Sequence, residues 1–253
     1  MVTGFLVQPK DLKDTVPVIL YNRGGNQDLG QLLVAHAVDI LAPLAAEGFI
    51  VAATNYRGNS GSEGKEQFGG EDVNDIFNLI DALGQVEGAD TSSVDLFGLS
   101  RGGMMSYLAL REDQNHKIKA IANLGGITDL SHTIKYHPEI GEVCESLIPE
   151  FHKNESTELI KRSAVNWVDQ LPKEVPIMIL HGTEDKSVDF GQIPVFVDSL
   201  AKYDIPYLVR AYEGDNHGCV NHQDDVMSQL KSWFSHNLLN EIYNLQDYQM
   251  ITD

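Results

Sequence analysis

Short apolar, β-branched runs alternate with stretches of helical period along most of this chain, and few architectures accept that rhythm. Val16-Pro17-Val18-Ile19-Leu20-Tyr21, Phe49-Ile50-Val51-Ala52-Ala53-Thr54 and Ser93-Val94-Asp95-Leu96-Phe97 read as strands. So do Ile118-Lys119-Ala120-Ile121-Ala122-Asn123, Ile177-Met178-Ile179-Leu180 and Tyr207-Leu208-Val209-Arg210-Ala211. Runs apolar on both faces suit strands that are covered on both sides. Between them, Ala35 to Glu47, Glu71 to Leu83, Gly103 to Leu110, Ile193 to Tyr203 and Asp224 to Asn237 carry apolar residues at helical spacing. The first of these stops at Gly48, a residue that suits a helix C-terminus. Such alternation predicts an α/β fold, a mostly parallel sheet with helices on both faces. Binding sites of these sheets lie at the C-terminal strand ends.

With 253 residues, 42% of them apolar, the chain can bury a full core, and we expect one domain over 1–253. The stretch 126–172 breaks the alternation. It is polar, mildly helical and too long for a plain connection, so a small cap inserted over the strand ends is expected there. Tyr136, Phe151 and Trp167 are its expected packing anchors, and Trp167 is also a candidate substrate contact. The tail from Asn240 to Asp253 reads as an appendage, frayed or docked.

Gly98-Leu99-Ser100-Arg101-Gly102 stands where the third strand meets the helix after it. A strand that turns sharply into a helix needs glycines flanking the turn residue, and the turn holds the serine oxygen in the open. Ser100 is thus the candidate nucleophile. The backbone N–H of Arg101, at a helix N-terminus, is one candidate oxyanion donor. The glycine pair in Asn22-Arg23-Gly24-Gly25-Asn26 follows the first strand, and the backbone of Gly24 or Gly25 is the candidate second donor.

A serine hydroxyl needs a base, and the base needs an orienting acid. Asp185 follows the strand ending at Leu180, with Glu184 and Asp189 as rivals, and His217 precedes the last helix. Nucleophile, acid and histidine therefore arrive in the chain order of the α/β-hydrolase arrangement. Of the other histidines, His36, His116 and His236 fall in helices or at their ends, and His132, His137 and His152 fall in the cap. Structural roles are expected for these six, for His181 beside the acid loop and for His222 at the final helix.

Eighteen Lys and Arg stand against 37 Asp and Glu, a net charge of -19 that disfavours nucleic acid and anionic membrane surfaces as partners. The charge leaves a homo-oligomer open. Cys144 and Cys219 are far apart and show no paired spacing, so neither a disulfide framework nor a metal site is signalled. Asn55-Tyr56-Arg57-Gly58 opens a glycine-rich loop without the ending a phosphate loop requires, and Arg57 is expected to brace it. No cofactor is implied. With no basic start followed by a long apolar stretch, a cytoplasmic location is expected.

Four segments together resemble the catalytic domain of the prolyl oligopeptidase family of serine hydrolases. They are Asn22-Arg23-Gly24-Gly25; Asn55-Tyr56-Arg57-Gly58 with Gly69-Gly70-Glu71-Asp72-Val73; Gly98 to Gly103; and His181 to Asp185 with Asp215 to Gly218. The resemblance implies an α/β-hydrolase fold with Ser100 as nucleophile, Asp185 as acid and His217 as base. Several members place a tyrosine before the glycine pair. Here that position is Arg23, whose guanidinium would meet a substrate group or form an ion pair at the rim. Tyr56 is a further candidate substrate contact. Peptidases of the family carry an N-terminal β-propeller, whereas this chain starts close to its first strand, so the expected substrates are carboxylic esters of small molecules. A peptidase or amidase on short peptides is the alternative, with Glu139, Glu142 or Glu145 in an amine pocket. A non-catalytic binding module is a third reading, but its mark, a missing triad member, is not seen.

Overall fold

The computed structural model of the chain describes residues 1–237 and 246–252. Among the described residues, eight strands form one sheet: β1 (Gly4–Val7), β2 (Val16–Asn22), β3 (Ile50–Thr54), β4 (Ala89–Leu99), β5 (Ile118–Leu124), β6 (Ile177–Gly182), β7 (Tyr207–Tyr212) and β8 (Gln246–Ile251). Their spatial order is β1-β3-β2-β4-β5-β6-β7-β8. Among the described residues β1 runs antiparallel to its neighbour and every other adjacent pair is parallel.

The six inner strands are those expected from the apolar runs, and the two edges are additions. β1 has four residues alternating exposed and half-buried, too short to stand out. β8, Gln246-Asp247-Tyr248-Gln249-Met250-Ile251, is polar because a sheet edge stays in contact with water. Part of the expected tail is therefore an edge strand, pairing Tyr207 with Gln246 through Tyr212 with Ile251. Residues 240–245 and Asp253 of that tail lie outside the described residues.

The helices are α1 (Val34–His36), α2 (Ala42–Ala45), α3 (Asn74–Leu83), α4 (Arg101–Glu112), α5 (Leu130–Tyr136), α6 (Pro138–Leu147), α7 (Phe151–Arg162), α8 (Gln192–Lys202) and α9 (Gln223–Asn237). A wider π turn at Ala37–Leu41 joins α1 to α2, just before Pro43, which has no N–H to donate.

Because strand side chains alternate between faces, β2 sends Val18 and Leu20 to one core and Ile19 and Tyr21 to the other. The first core packs under α3, α4 and α8 through Ile76, Ile80, Met104, Leu108, Phe196 and Leu200. The second packs under α2 and α9 through Leu44, Val226, Leu230 and Phe234. Each such side chain contributes about 1.5–3 kcal/mol on full burial. Helix α4 is buried along Arg101 to Leu110, as a helix directly behind the site must be.

Between β5 and β6 the chain forms α5, α6, α7 and two short 3-10 turns. Phe151 and Trp167 join the first core. Tyr136 does not: it is 52% exposed and stacks on His132, with ring centroids 4.7 Å apart. The expectation that it anchors this segment is corrected, since its ring closes over a half-exposed imidazole instead. Among the described residues no helix is long and apolar enough to cross a membrane.

Candidate active site

Ser100 joins β4 to α4 with φ 57° and ψ -122°, a backbone conformation that costs a non-glycine residue about 1–3 kcal/mol. Its neighbours explain the flanking glycines. A Cβ on Gly102 would sit 1.8 Å from the Asn22 carbonyl oxygen, and one on Gly98 would sit 2.4 Å from Asn123 Oδ1. The turn is held by the Ser100 N–H donating to Leu124 O at 2.9 Å and by Gly103 N–H donating to Ser100 O at 2.9 Å.

Asp185 lies in the loop after β6, 7% exposed, with Oδ2 2.7 Å from His217 Nδ1. The carboxylate can only accept there, so Nδ1 carries the hydrogen and Nε2 of His217 is left as the basic nitrogen. Oδ1 accepts the N–H groups of Ser187 at 2.7 Å and Val188 at 2.9 Å. Burial works to raise this carboxyl, but hydrogen bonds from His181 and His217, the charge of His217 and the Val188 N–H outweigh it and hold it below the usual carboxylate range. The rivals stand elsewhere: Glu184 is exposed, and Asp189 lies 2.7 Å from His132 Nε2.

His217 sits on a loop folded around a second buried carboxylate. Asp215 accepts the N–H groups of Asn216 at 2.8 Å and Asn221 at 3.1 Å and stands 2.7 Å from His222 Nδ1. This function of Asp215 has no signal in the sequence beyond its place in the motif. Both thiols are out of play as nucleophiles: burial pushes Cys144 and Cys219 up to about 12.

Ser100 and His217 face one cavity of about 490 Å³. Gly24, Gly25 and Arg101, the three expected sources of oxyanion donors, line it with them. A Cβ on Gly24 would come within 3.0 Å of the Ser100 Cβ, so the loop approaches the serine closely only because no side chain intervenes. Ile127, Thr133, His137, Glu139 and Ile140, from the segment between β5 and β6, form part of the wall, as do Lys186 and Val188 from the loop that carries Asp185. Of the three acids considered for an amine pocket, Glu139 lines the cavity, while Glu142 and Glu145 are exposed and do not. His36, expected in a purely structural role, also lines it, as does Phe68.

Three expected substrate contacts lie away from this cavity. Arg23 is 1% exposed and donates to the carbonyls of Gly24, Gln27, Leu29 and Asn55, so its guanidinium is satisfied by backbone and, among the described residues, forms no rim ion pair. Burial, and then the charge of Arg101, lower its pKa from the usual arginine value. Tyr56, also 1% exposed, has the guanidinium groups of Arg23 and Arg101 at 5.6 and 5.1 Å from its ring centre. Trp167 is buried, donates Nε1–H to Ile160 O at 3.1 Å and carries Arg111 over its ring at 4.2 Å. Arg57 braces its loop by donating Nε and Nη2 to Asp75.

A family model described as the prolyl oligopeptidase family matches residues 36–241. The chain belongs to the prolyl oligopeptidase family. Membership makes it a serine hydrolase on an α/β-hydrolase fold. Among curated proteins it is 26% identical over 233 residues to an uncharacterized peptidase, YtmA, of Bacillus subtilis, covering 92% of this chain and 88% of that one. It is 25% identical over 249 residues to the acylamino-acid-releasing enzyme of Rattus norvegicus, covering 91% of this chain but 33% of that enzyme. A solved puromycin hydrolase superposes with a TM-score of 0.81 at 19% identity, covering 99% of this chain and 38% of that one.

Proposed function

We propose that this member of the prolyl oligopeptidase family is a peptidase or amidase that cleaves short peptides through an acyl-enzyme on Ser100. The observation that carries the reading is the 2.7 Å pair of Asp185 and His217 opening on the cavity that Ser100 lines. The names of the curated relatives, a peptidase and an acylamino-acid-releasing enzyme, favour amides over the esters placed first from the sequence.

Ser100 Oγ attacks the carbonyl carbon while its proton passes to His217 Nε2, and the carbonyl electron pair moves onto oxygen. The Arg101 N–H and an N–H of the Gly24-Gly25 loop are the candidate donors to that oxyanion. An amine leaves poorly unless it is protonated, so the C–N bond breaks as His217 returns the proton to nitrogen. Water then repeats the sequence on the acyl ester, giving the acid and free Ser100. Asp185 supports each step by stabilising the imidazolium.

The test is a fluorophosphonate probe followed by mass mapping, together with an acylaminoacyl p-nitroanilide and a p-nitrophenyl ester of the same acyl group. Labelling at Ser100 and turnover of both substrates are expected. Turnover of the ester alone would make the chain an esterase, and an unlabelled Ser100 in folded protein would remove the nucleophile.

A further inference from the structure

The residue after the candidate nucleophile sends its side chain into the protein. Arg101 is 1% exposed, and its guanidinium donates to Glu66, to Asp72 and, at 3.1 Å, to the carbonyl of Gly25. It lies 5.1 Å from the Tyr56 ring centre and 4.8 Å from that of Phe68. The second oxygen of Glu66 accepts the Gln27 N–H at 2.7 Å. Asp72 also accepts the N–H groups of Gly69 and Gly70.

Residues 24–30 run outside the sheet, with Gln27 in the left-handed region at φ 49°. The carbonyls of Gly24, Gly25, Gln27 and Leu29 accept from guanidinium groups. Arg23 ties Gly24, Gln27 and Leu29 to Asn55, at the end of β3. Arg101 ties Gly25 directly, and Gln27 through Glu66, to the serine turn. One candidate oxyanion donor is the Arg101 N–H and the other lies in the loop that the same side chain grips.

We propose that the Arg101 side chain and Glu66 are positioning residues that fix the separation of the two oxyanion donors. This rests on the acyl-transfer reading above. The oxyanion exists in the transition state and not in bound substrate, so a loosened loop lowers kcat and leaves KM in place. A carboxylate accepts on both oxygens, whereas an amide accepts on one side and donates on the other. Glu66→Gln therefore keeps the shape but must lose either the Arg101 link or the Gln27 link.

The experiment compares the full chain with Glu66→Gln, using an acylaminoacyl p-nitroanilide, a peptidyl trifluoromethyl ketone that adds Ser100 to form a hemiketal oxyanion, and the carboxylate product. Displacing a donor rather than deleting it is expected to lower kcat by about 10- to 100-fold, with KM within about twofold. The inhibition constant of the ketone should rise by the same factor and that of the product should not move. A folded Glu66→Gln protein with kcat within twofold of the parent overturns the proposal, as does parallel weakening of ketone and product. Should Glu66→Gln not fold, Arg101→Lys decides on the same readouts, since it retains the charge but lacks the fork that reaches Gly25. A parent protein whose Ser100 is not labelled by fluorophosphonate would instead overturn the acyl-transfer reading, and the positioning role with it.

Discussion

Nε2 of His181 lies 3.1 Å from Oδ2 of Asp185, the same oxygen that His217 Nδ1 reaches at 2.7 Å. That nitrogen also stands 2.9 Å from the Val188 carbonyl oxygen. Both neighbours are acceptors, so Nε2 carries the hydrogen and shares it between them. His181 is fully buried, with the Phe190 ring packed edge-on at 5.7 Å between centroids. It thus shares with His217, the proposed base, one oxygen of the Asp185 carboxylate.

Replacing His181 by Phe keeps the ring packing and removes the donor. We expect kcat/KM to fall about tenfold, the scale of losing one hydrogen bond to a charged group. His181→Gln, which retains an amide donor, should lose less. Steady-state kinetics on the three proteins checks this, and equal losses in both variants would show that bulk and not donation matters.

Asp185 also makes stability depend on pH in a stated direction. Its carboxyl is held below the usual range, so its contribution is complete above the unfolded value of about 3.9 and is lost as pH falls through the folded value. The gap in Tm between the parent and Asp185→Asn should be full at pH 7 and narrow below about pH 4. A gap that is constant down to pH 3 would contradict the assignment.

The strained turn gives a comparison between two variants at Ser100. Ser100→Ala keeps the side-chain penalty at φ 57°, whereas Ser100→Gly removes it at the cost of a more flexible unfolded chain. We expect Ser100→Gly to be more stable by about 1 kcal/mol, read as a Tm about 2–4 °C higher. Equal melting temperatures would mean that the turn stores no strain.

Trp167 separates packing from substrate contact. Trp167→Phe loses the hydrogen bond to Ile160 and weakens the Arg111 stacking, so a loss of about 1–2 kcal/mol of stability is expected with KM unchanged. Urea unfolding and kinetics check both halves. A KM raised fivefold or more without a change in stability would return Trp167 to the substrate site.

Much of the fold was legible because its signals are local. The runs at Val18 to Tyr21, Leu96 and Phe97, or Ile177 to Leu180 are apolar on both faces, as covered strands must be. The turn at Ser100 was legible for a similar reason: glycines at 98 and 102 answer backbone contacts made within a few residues or with the adjacent strand. The edge strands were not, since Gln246 to Ile251 has one strand neighbour and keeps polar side chains in water. Tyr136 was misread as an anchor because an aromatic residue in a polar helix carries no mark of which way it faces.

The sequence by itself determined the order of the layers and the order in which serine, acid and histidine reach the strand ends, since both follow from residue type and spacing. Tertiary structure alone decided that Asp185 and not its neighbour Glu184 turns inward to His217. It also decided that Arg23 and Tyr56, which look like substrate contacts on a glycine-rich rim, are buried under the loop they support. The physical reason is that a buried guanidinium must find acceptors, and the carbonyls that satisfy Arg23 come together only when the loop of residues 24–30 folds back against the end of β3.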